Sequence, residues 1–555
     1  MMCIALKSLA PLAALVAIGL TSYAAYGDEV HSVGNVPASV PDAGEPYILP
    51  LRRESVPVKR KGKVVSFKTS YSGVIHVGYP RAQEFRVVFD TGSGHVVLPA
   101  IECQSPSCLK HRRYNMRASK VAEAINLDGE RVLAGELCDQ VTVGFGTGRI
   151  TGEFVRERVC LGPPQPREED EEARAKWVAG PCNLMHVIVA VEMSNQPFLS
   201  FAFDGIIGMG LGSLALSHNF SFFQLARMNN QTDTSHFSVY LTEGEDGEQS
   251  ELAIGGYSPS RLLAPLHWAP IINPDLGYWQ VAITAIRVDG QPLQACQKGC
   301  NGIVDTGTSH LGIPAAYEPK VSSMLSRPAG DITDCRFIQA PTMEFDIGGF
   351  TLTLLPENYM RRLPLSEGVT VSSPKGISLE LRPNDTAVPA ETSATTSSVH
   401  DDQNATANAS RKASSEPPRH CKAKVMAVNL PEPLGSNMWI FGEPLLHRYY
   451  TVFDSKAPQI GFGLAANRMN KKSWTATQTS EEAGGIAPQK DPQILLIQTQ
   501  ATVEPAPAPS DLRGASRVPA PPVPPAPRLP GLADHDQHDV AALMQVSITL
   551  AVRPA

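Results

Sequence analysis

Val87-Val88-Phe89-Asp90-Thr91-Gly92-Ser93-Gly94 decides the fold of this chain, because the chain carries it twice. The second copy is Gly302-Ile303-Val304-Asp305-Thr306-Gly307-Thr308-Ser309. Each copy is a short apolar run ending in Asp-Thr-Gly. The match continues past the tripeptide, and both copies reach a proline nine positions after the aspartate, at Pro99 and Pro314. The aspartates stand 215 positions apart. An internal repeat sets the architecture ahead of any local reading. This one implies two similar lobes, each offering one carboxylate to a shared centre.

The residue types suit that arrangement. β-Branched and aromatic residues ahead of each Asp read as a buried strand. Asp-Thr-Gly then reads as a turn, with glycine permitting close backbone approach. A carboxylate there leaves a packed strand and enters a cleft. Two carboxylates about 3 Å apart cannot both ionise easily and share one proton. The ionised one takes a proton from water while the protonated one polarises a carbonyl. That is amide hydrolysis with no metal, no cofactor and no covalent intermediate. A given tripeptide arises by chance roughly 0.1 times in such a chain, so two copies with matched flanks are not coincidence.

Residues 64–467 resemble the pepsin-like aspartic proteases, the family for which the shared-proton dyad is the established logic. Beside the two Asp motifs, Phe203-Asp204-Gly205-Ile206-Ile207-Gly208-Met209-Gly210 and Trp439-Ile440-Phe441-Gly442-Glu443 resemble the segments that pass beneath each catalytic loop. Tyr449 to Asp454 resembles the closing strand. The resemblance implies an all-β, bilobal fold with the active-site cleft between lobes. It implies an aspartic endopeptidase acting on peptide or protein substrates at acidic pH. Asp90 and Asp305 are its catalytic pair. Thr91, Gly92, Ser93, Thr306, Gly307 and Thr308 support the loops, with Ser93 and Thr308 hydrogen-bonding the carboxylates.

It also implies a flap, a hairpin closing over substrate, at Phe145-Gly146-Thr147. Here the chain departs from the family. Phe145 stands where the flap usually carries Tyr, and Val97 where its Trp partner usually lies. The hydroxyl and the indole N–H are lost together, so two apolar groups can pack with no polar group left unsatisfied. The other reading is a non-catalytic binding protein on the same fold. The altered flap favours it, and the two whole Asp-Thr-Gly motifs oppose it.

Composition sets the surroundings. Lys7, an apolar run from Leu9 to Leu20 and Ala25-Tyr26-Gly27 read as a signal peptide over residues 1–27. The run is shorter than the ~20 residues that span a bilayer. The mature chain is therefore expected to have no spanning segment, to follow the secretory pathway, and to be secreted or held in an acidic endomembrane compartment. The net charge of −7 opposes a nucleic-acid partner. A monomer is expected. Residues 28–63 are polar, Pro-containing and basic towards the end, as a solvated linker would be; the resemblance implies a propeptide there, with Lys59-Arg60-Lys61 as a processing site. The first lobe is placed at 64–265 and the second at 266–467. A disordered Ser/Thr/Ala/Pro-rich insertion is expected to interrupt the second lobe at 366–420, and a Pro-rich, extended and disordered tail to fill 468–555.

Ten cysteines fit an oxidising compartment, and nine remain once Cys3 leaves with the signal. The resemblance implies Cys103–Cys108, Cys296–Cys300 and Cys335–Cys421. Cys160 and Cys182 flank an extra acidic loop and are expected to pair. Cys138 is left over, expected as a buried thiol rather than an intermolecular link. No histidines cluster near these cysteines at ligand spacing, so no metal site is expected. Glycosylation sequons begin at Asn219, Asn230, Asn384, Asn404 and Asn408.

Overall fold

Each Asp-Thr-Gly motif follows a buried strand, and the two strands sit in sheets of the same design. The computed structural model describes residues 45–60, 63–133, 135–145, 148–163, 180–232, 234–244, 247–296, 299–366, 418–474 and 546–552. Gln83–Asp90 pairs in parallel with Gly205–Gly208. That strand runs antiparallel to Val96–Pro99, which pairs in parallel with Cys182–Met193. In the second lobe Cys300–Val304 pairs in parallel with Met438–Phe441. Met438–Phe441 runs antiparallel to Leu311–Pro314, which pairs in parallel with Val425–Val428. Order and direction are the same in both, so the repeat in sequence is a repeat of topology. The apolar-apolar-Gly segments are the parallel partners that carry each Asp strand.

Val87–Phe89, Val96–Pro99, Gly205–Gly208, Leu311–Pro314 and Met438–Phe441 are buried on both faces, which suits their Val, Ile and Phe content. Strands from the two lobes also share a sheet. His236–Tyr240 pairs with Tyr449–Asp454. There Phe237 stacks on Phe453 at 4.6 Å, and Trp279 meets both rings edge-on at 5.7 and 5.0 Å. Each such ring contributes roughly 1.5–3 kcal/mol by leaving water. The lobes are therefore joined by core, not by a linker alone.

Three boundaries differ from the sequence reading. The sheet begins at Tyr47 rather than Val64: Tyr47–Arg60 pairs with Lys63–Val77 on one side and Ser250–Ile254 on the other. Leu49 and Leu51 are buried there, so the segment is held by core contacts despite its basic end. The second lobe runs past Asn467 into a helix over 468–474. Asn467 and Asn470 are buried and donate to the carbonyls of His447, Arg448 and Ala465. Part of the expected disordered tail is an ordered strand. Val546–Val552, rich in strand-forming residues, pairs antiparallel with the outer strand of the hairpin that leads to Phe145, from Val546 opposite Val143 to Val552 opposite Leu137.

All four expected disulfides are present: Cys103–Cys108, Cys160–Cys182, Cys296–Cys300 and Cys335–Cys421. Cys138 is buried and outside them. Leu365–Ser366 and Arg419–Cys421 pair antiparallel, so the insertion between them leaves and rejoins the lobe at one place. Most of that insertion, the acidic run Glu168–Glu172 and the expected signal peptide lie outside the described residues. Among the described residues no helix is long and apolar enough to cross a membrane.

Candidate active site

The parallel strand pairs aim both aspartates at one point. Asp90 stands in register with Gly208, and its carbonyl accepts from Met209 N at 2.8 Å. Asp305 N donates to Phe441 O at 3.0 Å. Each loop is thus pinned from below by the segment beside it. The approach requires a glycine at 307 and leaves little room at Gly92. A Cβ on Gly307 would lie 2.4 Å from Asp90 Oδ1, and one on Gly92 would lie 3.1 Å from Asp305 Cγ. Each glycine N–H instead donates to its own motif's carboxylate, Gly92 to Asp90 Oδ1 at 3.0 Å and Gly307 to Asp305 Oδ1 at 2.8 Å.

The threonines lock the loops together. Thr91 N donates to Thr306 Oγ1 and Thr306 N to Thr91 Oγ1, both at 3.0 Å. Each hydroxyl then donates to the opposite strand: Thr91 to Val304 O at 2.8 Å, Thr306 to Phe89 O at 2.6 Å. The symmetry breaks at the next position. Thr308 Oγ1 donates to Asp305 Oδ2 at 2.5 Å, as the resemblance implies. Ser93 Oγ is buried beside Asp90 and lowers its carboxyl pKa as a hydrogen-bonding neighbour, in looser geometry than Thr308 takes at Asp305. A threonine's branched Cβ restricts its rotamer and a serine's does not, so the two sites are held differently.

Electrostatics follow from this packing. Burial first, and then the adjacent Asp305 carboxylate, push the Asp90 carboxyl up; the Gly92 N–H and the nearby Ser93 hydroxyl pull it partly back. One proton is therefore retained on the pair well above the usual carboxylate range. Tyr278 is a residue the sequence reading passed over. Its phenol is pushed up to about 12, by burial first and then by the negative charge of Asp305 and Asp90. Only a tertiary neighbour betrays it.

The flap residues are harder to place. Gly146 and Thr147 lie outside the described residues. Val97 is buried beside an apolar recess lined by Ile150, Phe198, Phe203 and Ile206, where no indole N–H has to be satisfied. Of the sequons, Asn230 is exposed, whereas Asn219 is followed by Ser221, whose hydroxyl is buried and accepts from Gln224 N. Asn384, Asn404 and Asn408 lie outside the described residues.

A family model described as eukaryotic aspartyl protease matches residues 70–165 and 182–370, which contain both Asp-Thr-Gly motifs. The chain belongs to the eukaryotic aspartyl protease family. Among its relatives, cathepsin E of Rattus norvegicus is 27% identical over 401 residues, covering 71% of this chain and 80% of that protein. Cathepsin E-B of Xenopus laevis is 29% identical over 397 residues, 70% of this chain and 78% of the other. Pepsin B of Canis lupus familiaris is 27% identical over 402 residues, 71% and 81%. This family member thus shares most of its folded length with pepsins and cathepsins E, and differs from them at roughly seven positions in ten.

Proposed function

We propose that this aspartyl protease family member is a working endopeptidase, with Asp90 and Asp305 as its catalytic dyad. The observation that carries the reading is the reciprocal Thr91–Thr306 lock, which holds two carboxylates so close that a Cβ on Gly307 would strike Asp90 and one on Gly92 would press on Asp305. A water held between the carboxylates gives a proton to the ionised member and attacks the scissile carbonyl. The protonated member donates to that carbonyl oxygen as charge develops on it. The resulting tetrahedral gem-diol collapses as the proton passes to the leaving amine. One proton on the dyad is needed at the start of each turnover, so activity is lost as pH rises through the raised Asp90 pKa and both carboxylates ionise.

The substrate lies extended across the cleft, where backbone groups of the lobe and the flap hairpin can pair with it. Residues 1–27 act as a signal peptide. Residues 28–63 act as a propeptide, of which Tyr47–Arg60 already forms a strand. The mature chain passes through the secretory route as a monomer. A catalytically silent binding protein is the second reading, favoured by Val97 in place of the usual Trp. Incubation with a mixed peptide library from pH 3 to 8 separates the two. Cleavage that peaks below neutrality and vanishes in Asp305→Asn supports the protease, and intact peptides at every pH support the binder.

A further inference from the structure

The second catalytic loop rests on a charged residue. Glu443 follows the strand Met438–Phe441 by one glycine and opens the short helix Glu443–Arg448. The passage beneath the loop is tight: a Cβ on Gly442 would lie 2.3 Å from Thr308 O and 2.4 Å from His310 O. Glu443 N donates to Thr308 O at 2.9 Å, and Thr308 Oγ1 donates to Asp305 Oδ2 at 2.5 Å. Glu443 thus reaches the Asp305 carboxylate through a single residue. The first lobe repeats only half of this. Gly210 N donates to Ser93 O at 2.8 Å, but a glycine has no side chain by which the fold could hold it. The loop whose hydroxyl meets its aspartate more tightly is the loop whose support is anchored.

The anchor is buried and joins the lobes. Glu443 is 3% exposed, and a carboxylate so buried needs partners. His447 Nε2 lies at 3.3 Å, one helical turn on, Tyr71 Oη at 3.4 Å, Arg53 at 3.6 Å and Lys424 at 3.9 Å. Arg53 belongs to the stretch assigned to the propeptide. The other three belong to the lobes themselves, so the carboxylate keeps partners without it. Tyr71 comes from the first lobe, where its hydroxyl also donates to Thr242 O at 2.9 Å, and it touches His447 Nε2 as well. His447 Nδ1 faces Glu243 of the first lobe at 3.3 Å. The imidazole therefore stands between one carboxylate from each lobe.

Resting on the protease reading, we propose that Glu443 is a positioning residue for the catalytic dyad. Its carboxylate, gripped by His447, Tyr71 and Lys424, fixes where its own backbone N–H stands. That N–H fixes Thr308, and the Thr308 hydroxyl fixes how Asp305 meets the attacking water. Glu443 itself touches neither substrate nor water. Its partners come from both lobes, so the hold on Asp305 is complete only once the lobes have docked. A reacting carboxylate that is slightly misplaced loses much of its rate advantage, because productive geometry is narrow.

The test is a double-substitution cycle in the full-length chain, read as kcat and KM on one cleavable peptide. Glu443→Gln keeps the length of the side chain and removes its charge. Thr308→Val keeps the shape and removes the hydroxyl. Each alone is expected to lower kcat by about tenfold or more, with KM within about twofold of the native value. The two together should fall below Thr308→Val by no more than about twofold, because Glu443 acts through a hydroxyl that is already gone. Tyr71→Phe removes the hydroxyl that meets both Glu443 and His447, and serves where Glu443→Gln does not fold. It should lower kcat by about threefold alone and by nothing further beside Thr308→Val. Losses that multiply overturn the proposal, since unfolded protein, or a route that bypasses Thr308, would multiply with Thr308→Val. An unchanged kcat in Glu443→Gln, or in Tyr71→Phe where that chain alone folds, overturns it too and leaves the protease reading intact. A native chain that cleaves no peptide overturns the protease reading and the positioning role with it.

Discussion

Thr91 and Thr306 each donate a backbone N–H to the other's hydroxyl at 3.0 Å across the join of the two lobes. Neither bond exists until both lobes are folded and docked. The active site is therefore made by assembly, and its geometry is coupled to the stability of the interface. Replacing either hydroxyl strands two groups at once. Thr306→Val leaves Thr91 N–H and Phe89 O without a partner, and an unsatisfied buried polar group costs about 1–3 kcal/mol. Urea unfolding should show a loss of about 2–5 kcal/mol, and turnover should fall with it. Thr306→Ser keeps the hydroxyl and should lose less than about 1 kcal/mol. A Thr306→Val chain as stable as the native one, with the loss confined to Thr306→Ser, would mean that the lock contributes through methyl packing alone.

The raised Asp90 carboxyl has a consequence for stability. Its folded pKa lies above the unfolded carboxylate value near 3.8, so the folded state binds this proton more tightly. The contribution is fully present below pH 3.8 and is lost as pH rises through the folded pKa. At neutral pH the ionising dyad works against folding. Asp90→Asn should abolish peptide cleavage and yet raise the melting temperature at pH 7, with the difference shrinking towards zero near pH 3.5. A variant that melts lower than the native chain at pH 7 would contradict this.

His95 and His186 act in the opposite direction. Both rings face Phe220, at 5.6 and 5.1 Å. His95 Nε2 accepts from Leu216 N at 2.9 Å, which leaves its proton on a buried Nδ1 with no partner. Burial pushes His95 down to about 4. Burial, then Arg156 and His218, push His186 to the same level. Folded values below the unfolded 6.5 mean that stability is present above pH 6.5 and lost as pH falls towards 4. His95→Gln keeps an acceptor for Leu216 and cannot be protonated. It should flatten the fall in unfolding free energy between pH 7 and pH 4, by up to about 3 kcal/mol. An unchanged pH slope would show that His95 is not a source of acid sensitivity.

Val546–Val552 covers the outer strand of the flap hairpin, residue by residue from Val143 to Leu137. Ending the chain at residue 545 should free that edge, since an uncovered edge strand presents unpaired N–H and C=O groups. Amide hydrogen exchange over Leu137–Val143 should speed up by about tenfold or more, while exchange in Gln83–Asp90 stays as it was. Equal protection in the two chains would place the strand elsewhere in solution.

Much of this protein was legible before any coordinates. The duplicated Asp-Thr-Gly motif, its apolar strands and the two supporting apolar-Gly segments are local patterns, because alternation, β-branching and turn glycines act between chain neighbours. From them follow two lobes, a carboxylate in each, and the cysteines that bracket each excursion. What the tertiary structure decided is non-local. Tyr47–Arg60 reads as a basic leader but is a sheet strand, because Leu49 and Leu51 find Ser250–Ile254 across the fold. Val546–Val552 reads as the end of a Pro-rich tail but pairs with a hairpin far upstream. Ser93 matches Thr308 in the alignment of the two motifs, yet the two hydroxyls meet their aspartates in different geometry, the tighter at Thr308. Tyr71, Glu243, Lys424 and Glu443 come from separate stretches of chain, and no spacing along the sequence brings them to one buried cluster. Chain closure does that, because the field inside such a cluster depends on which side chains meet there and not on the order in which they were joined.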